Sequence, residues 1–201
     1  MYNSLKPSNI REENMKQIIK LLRTSDQLLS RADIARRVSL SAPSVSKIIN
    51  ILLEAGIMTE REEGRSGAAG GRKPILLDIN KDCSYLMGIY IEERLLTITL
   101  ANFSGEIVNT RTFSYQIGSD FDCIDFLIGK MREVLDENTV DIDRVLSIGV
   151  SVPGVFDSNE GVIKFAPNIQ IWEKTPIGSE LVQEFDCEVI IDNAVNMAVL
   201  G

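Results

Sequence analysis

The sequence predicts an α/β protein in two modules, and three observations carry that prediction. Charge is divided along the chain: residues 1–75 hold 13 Lys and Arg against 8 Asp and Glu, a net of +5, whereas residues 76–201 hold 8 against 21, a net of −13. The apolar pattern divides at nearly the same place. It repeats at helical spacing up to residue 54 and turns to short apolar, strand-like runs from residue 85, with helical stretches between them. A glycine-rich basic segment, residues 64–74, lies where the two regimes meet. These boundaries place one module at residues 1–79 and a second at 84–201.

Bulk composition excludes several classes. A chain of 201 residues with 44% hydrophobic and 25% charged residues has the make-up of a folded globular protein. It has no basic-then-apolar leader and no apolar run of about 18 residues, so a cytoplasmic protein without membrane association is expected. Cys83, Cys123 and Cys187 lie far apart without a CxxC pair, which fits neither a disulfide framework nor a zinc site. They are expected as small buried hydrophobes. Histidine is absent, which removes a Ser-His-Asp triad and the commonest metal ligand. No metal site and no cofactor are expected.

The first module begins with a helix over residues 10–22, where Met15, Ile18, Ile19 and Leu22 form one stripe. Ser30-Arg31-Ala32-Asp33 has the form of a capping box, with Asp33 in the acidic role at the third helical position. It opens a second helix over residues 31–38 that buries Ile34, Ala35 and Val38. After a turn at Ser39-Leu40, Ser41 is a good N-cap, and Pro43 falls in the first turn, where its missing N–H costs nothing. A third helix runs to residue 54 and stops before Gly56. Val45, Ile48, Ile49, Leu52 and Leu53 are its inward set; Ser41, Ala42, Ser44, Lys47 and Asn50 are its outward set. Small hydroxyl-bearing residues let a helix approach base edges closely, and its N-terminus favours phosphate. This is the pattern of a recognition helix entering the major groove of double-stranded DNA by its N-terminal end, with the five outward residues as candidate contacts. A small helical bundle with a solvated serine face is the plain alternative.

The next segment weighs against the plain alternative. Ile57-Met58-Thr59-Glu60-Arg61 and Ile75-Leu76-Leu77-Asp78-Ile79 read as the two strands of a hairpin, and the Gly-rich basic segment joins them. A basic, glycine-rich hairpin after a helix-turn-helix is a wing. Arg72 and Lys73, following Gly70-Gly71, are candidates to enter a narrow minor groove. A flexible linker with incidental charges is the competing reading. A phosphate-binding loop fits less well, because no Gly-Lys-Ser/Thr follows a strand here.

In the second module strands are expected over residues 85–91, 95–101 and 107–115, with a turn at Phe103-Ser104-Gly105-Glu106. Residues 123–135 have helical spacing. Residues 145–152 form a short apolar run ending at Pro153-Gly154, as in a buried strand of a mixed sheet. A helix closes over residues 181–185 and a last strand covers 188–191.

Several segments together resemble the ROK family (repressor, open reading frame, kinase), its xylose-repressor branch in particular. In the first module these are Asn9-Ile10-Arg11-Glu12-Glu13-Asn14, Leu29-Ser30-Arg31-Ala32-Asp33-Ile34-Ala35-Arg36-Arg37, Ser44-Val45-Ser46-Lys47-Ile48-Ile49, Leu53-Glu54-Ala55-Gly56-Ile57 and Gly70-Gly71-Arg72-Lys73-Pro74. In the second they are residues 148–157 with Gly161-Val162-Ile163, and Phe165-Ala166-Pro167-Asn168 with Trp172. The resemblance implies a winged helix-turn-helix followed by the N-terminal part of an actin-like (ribonuclease-H-like) domain. It implies sugar contacts at Gly154, Asn168 and Asn193. Without it, Pro153-Gly154 reads as an ordinary strand-turn-strand.

The departures from the family pattern matter as much. ROK kinases carry a Gly-x-Asp-x-Gly-Gly-Thr loop for ATP phosphates; the matching stretch is Gly88-Ile89-Tyr90-Ile91-Glu92-Glu93-Arg94. Tyr90 replaces the Asp, and two carboxylates replace glycines, repelling phosphate by about 1 kcal/mol per close pair even in water. The family's Asn-Asp-Ala-Asn stretch is matched by Asn193-Ala194-Val195-Asn196, and an alanine cannot serve as the general base. The chain ends at Gly201, before the family's second lobe; a piece of a longer protein and a shortened gene product both fit.

The expected function is therefore that of a non-enzymatic transcription regulator, a repressor of carbohydrate-use genes such as those for xylose. It would bind operator DNA as a homodimer and answer to a sugar-type effector. A regulator controlled by a protein partner is a second possibility, and a sugar kinase with a DNA-binding appendage a third.

Overall fold

The computed structural model describes residues 7–25, 27–63, 73–118, 121–157 and 162–193. The chain divides into two compact units, Met1–Cys83 and Ser84–Gly201. Among the described residues no helix is long and apolar enough to cross a membrane.

The first unit runs α1 (Pro7–Arg23), β1 (Leu29–Ser30), α2 (Arg31–Val38), α3 (Ala42–Glu54), β2 (Met58–Glu63) and β3 (Ile75–Ile79). Local chemistry sets its helix boundaries. The Ser30 side chain accepts from the Asp33 backbone N–H, and the Asp33 carboxylate accepts from the Ser30 backbone N–H and hydroxyl, so the capping box is complete. The chain leaves α2 through Ser39 in the left-handed region (φ 55°) and enters α3 at Ser41, whose side chain accepts from the Ser44 N–H. Gly56, at φ 70°, ends α3 and turns the chain into β2. Ile18, Ile34, Val45, Ile49, Leu52 and Leu77 are fully buried in one core, with Leu29 and Met58 beside them.

The sheet of this unit has the order β1-β3-β2, antiparallel throughout, with Leu29 opposite Leu77 and Met58 opposite Ile79. The two wing strands stand as expected. β1 is an addition: Ser30, expected only in the capping box of α2, also pairs with β3 together with Leu29. Two residues are too few to show a period, and only pairing with β3 defines them. Residues 64–72 lie outside the described residues, and Arg72 with them.

The second unit comprises β4 (Tyr85–Ile91), β5 (Leu95–Asn102), β6 (Ile107–Ser114), α4 (Cys123–Glu137), β7 (Val145–Val152), β8 (Val155–Asp157), β9 (Val162–Phe165), α5 (Ile177–Phe185) and β10 (Glu188–Asn193). The main sheet has the order β10-β7-β4-β5-β6: β7 runs parallel to both β4 and β10, and β4, β5 and β6 form an antiparallel meander. Met87, Ile89, Leu96, Ile98, Ile148 and Val150 share a core with Leu127, Met131 and Val134 of α4 and Leu181 and Phe185 of α5. The turn after β5 uses Gly105 at φ 85°, and the buried Asn102 side chain accepts from the Ser104 and Glu106 N–H groups. β8 and β9 form a separate antiparallel pair after Gly154.

Candidate nucleic-acid interface and effector loop

The outward face of α3 begins at its cap. Ser41 and Ser44 share a hydroxyl–hydroxyl hydrogen bond of 2.8 Å, and Ala42 and Lys47 are exposed. Ser44 is half-buried. Asn50 is exposed too, but its carbonyl oxygen accepts from Arg31 Nη1 at 2.9 Å, so its amide NH2 is what it can offer a base. Arg31 also pairs with Glu60 of β2 at 3.3 Å, so one guanidinium ties α2, α3 and the first wing strand together. Sequence reading missed this link, because nothing local joins residues 19 and 29 positions apart. Lys73 is exposed where the second wing strand begins. Ser44, Lys47 and Asn50 thus line one concavity, and Ser41 and Ala42 are exposed at the helix start.

The candidate effector loop is built around Gly154. Its φ of 98° favours glycine, and a Cβ there would collide with the Phe165 carbonyl oxygen and lie 2.9 Å from the Ala166 side chain. The backbone of β9 therefore packs directly against residue 154. Asn193, at the end of β10, donates its side-chain N–H to the Gly154 carbonyl oxygen. Two of the three expected sugar contacts thus meet; part of the Gly154 edge is taken by Asn193. Asn168 is exposed on the turn between β9 and Trp172.

Trp172 is wholly buried. Its indole N–H donates to the Tyr115 hydroxyl at 3.0 Å, and that hydroxyl donates to the Glu92 carbonyl oxygen at 2.5 Å. Burial pushes the Tyr115 hydroxyl above the ordinary tyrosine value, so it stays protonated and able to donate. At the other end, Glu92 N–H reaches Leu95 O, and Tyr115 N–H reaches Arg94 O, at 2.9 and 3.1 Å. Residues 92–94 thus form a tight hairpin turn with Glu93 and Arg94 well exposed. The turn carries two carboxylates, and Tyr90 is exposed before it. Ala194 lies outside the described residues.

Of the cysteines, Cys123 is buried, whereas Cys83 and Cys187 are only partly so, less than their expected role as buried hydrophobes requires. Both lie at the edges of elements, where the chain leaves the core. Burial raises the Cys187 thiol above its ordinary value, which keeps it from being a ready nucleophile.

Comparison with known proteins places these features. The ROK family model matches residues 87–201, and a winged helix-turn-helix DNA-binding model matches residues 11–57. The chain belongs to the ROK family. Among curated ROK relatives, the xylose repressor of Caldicellulosiruptor bescii is 32% identical over 192 residues, covering 93% of this chain and 47% of that protein. The DNA-binding transcriptional repressor Mlc of Escherichia coli is 23% identical over 189 residues, covering 93% of this chain and 46% of that one. This ROK chain spans about half the length of the curated relatives it matches. Among solved structures, a ROK family transcriptional regulator described as a homolog of the E. coli MLC protein shares the fold, with a TM-score of 0.67, 22% identity and coverage of 92% of this chain and 46% of that one. The architecture is therefore a winged helix-turn-helix followed by the first part of a mixed-sheet ROK domain.

Proposed function

We propose that this chain carries the operator-binding module and the first sensor lobe of a sugar-responsive transcriptional repressor. The observation that carries the proposal is α3 itself: a helix capped by Ser41 exposes Ala42, Lys47 and Asn50 and half-exposes Ser44, in one unit with a hairpin wing. Two relatives named as repressors support it. The protein would act as a cytoplasmic homodimer on half-sites about one DNA turn apart. Arg72 and Lys73 of the wing would enter the adjacent minor groove.

The effector would be a sugar or sugar derivative held near Gly154, Asn168 and Asn193. It would release DNA by binding better to the conformation that does not hold the operator, a population shift. No phosphoryl transfer is proposed. Tyr90, Glu92 and Glu93 stand where the ROK kinase pattern has an Asp and two glycines, and Ala194 lacks a proton acceptor. The test is a gel shift at several salt concentrations, with duplexes selected from a random pool, repeated with xylose and related sugars on the full-length protein. Sequence-selective binding with a steep salt slope, weakened by one sugar, is the expected result. Binding without sequence preference, or ATP-dependent phosphorylation of the sugar, would overturn the proposal.

A further inference from the structure

Residues 9–14 carry part of the family resemblance but have no part in the function proposed above. The structure gives three of them a setting. Burial rises along α1: Ile10 is 47% exposed, Asn14 is half-buried and Ile18 is fully buried. The first turns of α1 therefore stand clear of the core, and a concavity of about 570 Å³ lies between them and α3. Ile10, Arg11 and Asn14 line one wall, and Ser44, Lys47 and Ile51 line the other.

Two cations border this concavity. Arg11 and Lys47 are both exposed, and among the described residues neither lies within ion-pair reach of a carboxylate. Lys16, Arg31, Arg36 and Arg61 each do, pairing with Glu12, Glu60, Asp33 and Asp78. Two unpaired cations thus face one space from opposite walls, over a partly apolar floor. A DNA strand has the matching chemistry: phosphates alternate with apolar deoxyribose rings. Glu54 also lines the concavity, about 10 Å along α3 from Lys47. Its carboxylate disfavours an anion at its own end of the concavity.

We propose that this concavity seats one sugar-phosphate stretch of the DNA backbone, with Arg11 and Lys47 on phosphate oxygens, the Asn14 amide donating to the same group, and Ile10 and Ile51 against deoxyribose. The proposal rests on the DNA-binding function proposed above and adds α1 to the interface. Contacts of this kind carry no sequence information; they set the register in which α3 meets the bases.

The test is titration of the chain with a mixed-sequence DNA duplex by fluorescence anisotropy, between about 50 and 200 mM salt. Arg11→Ala is expected to weaken binding about tenfold and to lower the slope of log K against log salt by about 0.9. Arg11→Lys should restore the slope, and Asn14→Ala should weaken binding at an unchanged slope. Lys16→Ala removes the same charge from the same helix, away from the concavity, and should leave both affinity and slope close to the parent. Equal effects of Arg11→Ala and Lys16→Ala would overturn the seat in favour of general attraction. So would an Arg11→Ala variant that binds like the parent while the parent binds DNA with a salt slope. A parent chain that shows no salt-dependent DNA binding at all would overturn the DNA-binding function itself, and the seat with it.

Discussion

Ser30 and Asp33 show how much a single pair decides. Their capping box fixes the start of α2. Ser30→Ala should cost about 1 kcal/mol, read as a lower Tm of the first unit. The pH dependence follows from the same pair. The Ser30 hydroxyl, with a smaller part from Arg36, holds the Asp33 carboxyl below the ordinary aspartate value of 3.8. A depressed folded-state value means that its contribution is present above pH 3.8 and is lost as pH falls through the lower folded value. Melting curves taken on acidification should therefore fall more steeply for the parent than for Ser30→Ala in that window. Gly154 is the second decisive residue. Gly154→Ala should destabilise the second unit by roughly 2 kcal/mol or more, because a positive φ and a collision with the β9 backbone act together. A calorimetric scan showing an unchanged second-unit Tm would contradict this.

At the scale of elements, the hairpin turn at residues 92–94 and the segment carrying Trp172 are joined through one hydroxyl. Tyr115→Phe would remove it and leave the buried indole N–H without its acceptor, at a cost of about 1–3 kcal/mol. Trp172 is the single tryptophan of the chain, so its emission should shift in this variant and report the loss directly. An emission spectrum identical to the parent, at equal stability, would mean that the link carries no weight. Elements differ in how far they were legible. α2, α3, β4 and β7 have long enough patterns, or strong enough caps, to be placed from the residues alone. β1, β8 and β9, of two to four residues, have no period to detect and exist through their partners.

Over the whole molecule, the two units have separate hydrophobic cores, one around Ile34, Ile49 and Leu77, the other around Ile98, Leu127 and Val150. Calorimetry should accordingly resolve two unfolding transitions. Addition of a DNA duplex should raise the transition of the first unit, since a ligand stabilises the unit it binds. A single transition, or a DNA-induced rise confined to the second unit, would contradict this division. The opposite charges of the two segments point the same way: a net charge of −8 for the whole chain conceals a basic first unit. Screening over about 10 Å at 0.1 M salt lets that basic surface act locally.

The order of helices, the wing strands, the capping residues and the losses from the family's kinase motifs were all legible in the sequence. They depend on local chemistry: side chains that cap their own helix, a proline in a first turn, and residue types set against a motif. Tertiary structure decided what depends on distant partners. It turned the Asn50 carbonyl toward Arg31, joined Asn193 to Gly154, linked Trp172 through Tyr115 to Glu92, and set Arg11 across a concavity from Lys47. Each of these contacts joins residues 19 to 57 positions apart or lies between separate helices, and periodicity along the chain carries no record of such distances.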